Sequence, residues 1–130
     1  MYGLTGGGVA RRMVTLANAL AERGDAIDLL LVRTDNVAGI EIDDRVKVIG
    51  TAGWSSHLPW IRRKRRREFK HSVASLAAYM QRTRPDALIA ADVLANLTAI
   101  EARRRADRSL PVILTQRTHT STFIAGKFNK

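Results

Sequence analysis

Three successive glycines, Gly6, Gly7 and Gly8, stand directly before an apolar-periodic run that opens at Val9 and carries Arg11 and Arg12 in its first turn. Without a Cβ the backbone can approach a ligand closely, and the free N–H groups at a helix start favour an anion. The guest such a bend suits is a phosphate or a sugar hydroxyl. Two nucleotide motifs fail on spacing: Arg11 stands where the dinucleotide fingerprint needs its third glycine, and no Lys-Ser/Thr pair follows as a P-loop requires. The plain alternative is a mobile glycine turn.

Two further groups of residues carry chemistry. Thr115, Gln116, Arg117, Thr118 and His119 follow a short apolar run. His119 suits taking a proton or bonding a sugar hydroxyl, against the alternative of a solvated loop histidine. Upstream, Trp54 and Trp60 precede Arg62, Arg63, Lys64, Arg65, Arg66 and Arg67. Cations at a helix start oppose the macrodipole at a cost of roughly 0.3–1 kcal/mol each. A bilayer interface offsets this, because a basic residue near an anionic surface gains on the order of 1 kcal/mol and aromatic rings settle at that depth. The alternatives are a solvated helix end with the tryptophans over the core, or a grip on nucleic acid. No aromatic-rich strand motif, zinc ligand set or helix-turn-helix accompanies the run, so nucleic acid is the weakest of the three.

The composition bounds what these residues can belong to. The 130 residues suffice for about one domain with a core, and are few for a two-substrate enzyme. Apolar residues make up 45%, and the lack of cysteine excludes disulfides and thiolate metal sites. No apolar run nears the roughly 20 residues of a membrane-spanning helix, and no signal-peptide layout opens the chain. The expected location is the cytoplasm, with the basic run giving a peripheral seat on the inner face of the membrane. Lys and Arg outnumber Asp and Glu by 22 to 12, a net charge of +10, which favours anionic partners.

The elements that must position these groups alternate. Residues 9–23 place Val9, Met13, Leu16, Ala17 and Leu20 on a helical stripe, and Gly24 supplies a left-handed stop. Residues 26–32 form a near-continuous apolar run, as in a strand covered on both faces. Asp35 in the following loop lies too far from the glycines to hold a ribose as the dinucleotide pattern does. Residues 44–49 give a second strand. Phe69, Val73, Leu76, Ala77 and Met80 trace a second helix that Pro85 stops. Residues 87–91 are a third strand, and Asp92 caps a helix running to about Ala106 with Leu94, Leu97 and Ile100 among its apolar positions. Residues 112–115 are the fourth strand. This order argues for a parallel α/β sheet, which binds ligands at the carboxyl ends of its strands. A strand normally precedes such a glycine turn, and only Met1-Tyr2-Gly3-Leu4-Thr5 stands there. The expected fold is therefore an incomplete parallel sheet with flanking helices, its first central strand short or missing and the chain truncated at its start.

The segment from Gly6 through Arg11, Leu16, Ala17, Leu20 and Arg23-Gly24 to Val32 resembles the opening of family 4 glycosyltransferases, where a Gly-Gly turn leads a helix and strand. Arg84-Pro85-Asp86-Ala87-Leu88, Asn96, and Pro111-Val112-Ile113-Leu114-Thr115 look like later landmarks of the same domain. Asp25 stands where the family usually carries a histidine, and Arg117 falls at the histidine after the fourth strand, with His119 two residues on.

The resemblance implies that residues 1–130 are a partial N-terminal, acceptor-side Rossmann-like domain of a GT-B enzyme. Such enzymes transfer a sugar from a nucleotide-sugar co-substrate, usually without a metal or other cofactor. It places Gly6, Gly7, Gly8, Arg11 and Asn96 at the substrate and Arg117 and His119 at the cleft edge. It also implies a C-terminal donor domain as partner, a sugar or lipid-linked acceptor, and no turnover from this piece alone. The competing expectation is a non-catalytic module using its basic helix on anionic lipid or nucleic acid. A dinucleotide oxidoreductase is a weaker third.

Overall fold

A computed structural model of the chain describes residues 8–31, 40–50 and 62–116, and for residues 62–66 the backbone course alone. Helix α1 (Gly8–Glu22) leads to strand β1 (Asp28–Leu31), then β2 (Lys47–Gly50), helix α2 (Arg62–Thr83), β3 (Leu88–Ala91), α3 (Val93–Ala106) and β4 (Val112–Thr115). The chain is α/β, with the element order the sequence suggests and short parallel strands. β1 pairs with β2 in parallel, Leu29 opposite Val48, and β3 pairs with β4 in parallel, Ile89 opposite Ile113. No described strand joins the two pairs. They are the flanks of a Rossmann-like sheet, and the arrangement is incomplete among the described residues.

α1 ends as Gly24 allows. Gly24 has φ +94°, its N–H donates to the Ala21 carbonyl, and the Asp25 N–H donates back to the Leu20 carbonyl. That pair of bonds satisfies two orphan carbonyls and turns the chain into β1. Both faces of β1 are covered. Leu29 and Leu31 join Ala10, Val14, Ala17 and Ala21 of α1 in one core, whereas Leu30 packs into the second core around Val73, Ala77 and Met80 of α2. The buried stripe of α1 is thus one position round from the expected one: Leu16 is 39% exposed, and alanines do the packing. Small side chains let the helix axis approach the strands, which larger ones at those positions would prevent.

On α3 too the most deeply buried residues are alanines. Leu97 is 48% exposed, and the buried positions are Ala99 and Ala102, with Ala106 partly buried, where α3 meets α2. On α2 the expected stripe is in place, with Phe69 and Leu76 half-buried beside it. Asn18 was not anticipated. Its Nδ2 donates to the Glu41 carbonyl at 3.1 Å and its Oδ1 accepts from the Asp43 N–H at 3.0 Å, seating residues 41–43 on α1.

The two strand pairs are joined through α2. Besides packing against Leu30, Ile49 and Leu88, α2 presents Tyr79, 8% exposed, whose hydroxyl donates to the Asp28 carboxylate at the start of β1. Burial, and then this bond, raise the Tyr79 phenol above its ordinary 10.0. The folded protein therefore holds the phenolic proton where the unfolded chain releases it. The stability this confers is complete below about pH 10 and is lost as pH rises through the folded value. Tyr79→Phe is expected to lower neutral-pH stability by about 1–2 kcal/mol and to abolish that alkaline decline. Urea denaturation at several pH values measures both.

Candidate functional site

The helices alternate with the strands, and this sets where their ends fall. α1 descends before the Gly24 turn and β1 ascends after it, so Gly8 lies toward the carboxyl end of β1. Tyr79 in the last turns of α2 touches the start of β1, and β3 starts at Leu88 after a short connection through Pro85. Both strand pairs therefore begin near the C-terminal end of α2. In a parallel α/β arrangement of this kind the carboxyl ends of the strands and the first turns of the helices share one rim, the position at which open sheets take ligands.

At the α1 corner Gly8 is exposed, and a Cβ placed on it would meet nothing within 4 Å. The first turn contains no acidic residue, and Arg11 and Arg12 are exposed beside it. This corner offers helix N–H groups and positive charge to an anion. At the α2 corner the helix begins at Arg62 itself, so Arg62, Arg63, Lys64, Arg65 and Arg66 are helical from the first residue, and the Arg67 side chain is exposed. Gly6, Gly7, Trp54, Trp60, Arg117 and His119 lie outside the described residues, as does Asp35.

The α3 corner is the most closely determined. Asp92 caps the helix as expected, its Oδ1 accepting from the Val93 N–H at 2.7 Å. Its backbone has φ 84° and ψ 153°, a region that glycine alone adopts freely and that costs other residues on the order of 1–3 kcal/mol. The neighbouring bonds hold it there. The Thr115 carbonyl, at the end of β4, accepts from the Asp92 N–H at 3.2 Å and from Asn96 Nδ2 at 3.1 Å. The Thr115 hydroxyl donates to the Ala90 carbonyl at 3.3 Å, and the Asn96 N–H donates to the Asp92 carbonyl at 2.8 Å. The sequence marks Asp92 as a cap and Asn96 as a landmark. It marks Thr115 in the polar turn after the fourth strand, but not that Thr115 acts largely through its backbone carbonyl, nor the dihedral strain at Asp92.

Comparison with known proteins adds one finding. The model of the family described as Glycosyltransferase Family 4 matches residues 6–129. No curated protein and no solved structure matches the chain significantly.

The strain at Asp92 has a measurable signature. Asp92→Ala loses the cap and keeps the strain, and is expected to lower stability by about 1 kcal/mol. Asp92→Gly loses the cap at a cost of only a few tenths of a kcal/mol while relieving the strain, so its stability is expected to equal or exceed that of the unchanged protein. Denaturation midpoints of the two variants decide this, and a glycine variant less stable than the alanine variant would contradict it.

Proposed function

The chain belongs to glycosyltransferase family 4, and on that footing we propose that it forms the acceptor-side wall of an enzyme that transfers a sugar from a nucleotide-sugar donor. In that reaction the anomeric carbon exchanges its bond to a donor phosphate oxygen for one to an acceptor hydroxyl oxygen, and the hydroxyl proton leaves. The observation that carries the reading is the start of α1. A bare Gly8 at the carboxyl rim, with no carboxylate in its turn and Arg11 alongside, suits the donor phosphates and the sugar they carry. Gly6 and Gly7 extend the same loop in sequence. Arg117 and His119, which follow β4, are assigned to the cleft edge: a cation for the departing diphosphate and a group to take or share the hydroxyl proton. Asn96 is assigned to the substrate. A departing nucleotide needs donors converging from both sides of a cleft, so in this proposal a second α/β domain supplies the other wall and this domain alone does not turn over.

Gly8 is the residue on which this reading is tested. Open space around its missing Cβ means that Gly8→Val leaves the fold undisturbed. In the two-domain enzyme the change is expected to abolish sugar transfer with the circular-dichroism helix signal unchanged. Full transfer by the variant would contradict the assignment.

The start of α2 supports a peripheral seat on an anionic membrane, with Trp54 and Trp60 as interfacial anchors and a lipid-linked acceptor brought to the rim. No helix among the described residues is long and apolar enough to cross a membrane. The first turn of α2 has no acidic residue to balance its cations. Sedimentation with phosphatidylcholine vesicles, with and without phosphatidylserine, is expected to show binding only to the anionic ones. Replacing residues 62–66 by glutamine is expected to reduce that binding at least tenfold. Equal binding to neutral vesicles, or preference for duplex DNA at matched salt, would contradict the membrane seat, and the DNA result would favour a non-catalytic module binding nucleic acid.

A further inference from the structure

The Asn96 side chain is held by one end. Its Nδ2 donates to the Thr115 carbonyl at 3.1 Å, and since a carbonyl only accepts, the amide can take only this orientation. Oδ1 therefore points away from Thr115, where it is buried and has no hydrogen-bond partner. Among the described residues it is the one buried side-chain polar atom so left, and leaving it unsatisfied costs about 1–3 kcal/mol. Three acceptors of this corner already have donors. The Asp92 carboxylate takes the Val93 N–H, the Asp92 carbonyl takes the Asn96 N–H, and the Thr115 carbonyl is doubly bonded. A phosphate oxygen, itself an acceptor bearing negative charge, cannot bond to Oδ1 and meets the Asp92 carboxylate. An O–H or N–H donor on a neutral ring fits.

We propose that Asn96 Oδ1 is the acceptor for a hydroxyl, or an N-acetyl N–H, of the bound sugar. The rim then has two corners of opposite preference. The start of α1 takes the anion, and the β3–α3 corner reads the neutral ring. The inference rests on the nucleotide-sugar reading above and names the part of the substrate that Asn96 meets.

The test uses the chain as it stands, with asparagine labelled by 13C and 15N and the backbone by 15N. Methyl glycosides of glucose, galactose, mannose and N-acetylglucosamine, inorganic phosphate, and UDP are titrated separately. At least one glycoside is expected to shift the Asn96 Cγ and Nδ2 resonances saturably, and phosphate to leave them in place. Asn96→Ala is expected to weaken that glycoside about tenfold, the worth of one hydrogen bond into a buried acceptor. The direct shift in the unchanged chain stands whether or not the variant folds. A shift with phosphate, or no response to any glycoside because Oδ1 holds only a water, overturns the proposal. The Gly8 amide separates the two readings. If it responds to UDP while Asn96 ignores every glycoside, the sugar subsite is lost and the nucleotide-sugar reading survives. If Asn96 responds while Gly8 stays silent to UDP, the reverse holds.

Discussion

The structure depends on the packing of α2 against both strand pairs. No described ladder links β1 to β3, and among the described residues apolar burial joins them. Val73, Ala77 and Met80 are covered from one side by Leu30 and Ile49 and from the other by Leu88 and the alanines of α3. Each large side chain moved out of water in this way contributes about 1.5–3 kcal/mol, and the interior tolerates little change of volume. Burial has no direction of its own, and the Tyr79 hydroxyl on Asp28 adds one by pinning the amino end of β1 to the last turns of α2. In a doubly wound parallel arrangement the two pairs share a direction, and the shared direction gives a common rim.

The rim divides its chemistry between helix starts that differ in sequence. α1 enters with Gly8 and no carboxylate, so its free N–H groups remain available to an anion. α3 enters through Asp92, whose carboxylate already occupies the first N–H and whose backbone is held in a strained conformation by Thr115. Two helix ends on one edge thus have opposite electrostatic character. A ligand with a charged and a neutral part suits such an edge, and a sugar nucleotide is a ligand of that kind.

Much of the fold was legible in the residues. Gly24 announced the helix stop, Asp92 the cap, and the run of leucines at 29–31 a strand covered on both faces. Period alone located the elements but misplaced the buried face of α1. Leu16 and Leu97 are exposed because closeness of approach, and not hydrophobicity, decided which face turned inward, and alanine wins that contest. Of the candidate site, Gly8 and Arg11 lie in the first turn of α1 and Asn96 in the first turn of α3. Asp92, Asn96 and Thr115 were each visible, but not the bonds that join them, because a backbone carbonyl and a positive φ leave no trace in residue type.

The shared rim is the claim most open to direct measurement. The chain has no cysteine, so Arg12→Cys accepts a single nitroxide label at the exposed start of α1. Paramagnetic broadening is predicted to reach the amides of Asp92 and Gln116 at the carboxyl ends of β3 and β4, and to spare those of Asp86 and Ser109 at the opposite end. Broadening at Asp86 and Ser109 with Asp92 and Gln116 untouched would mean that the two pairs run in opposite directions, and the site assembled here would not exist.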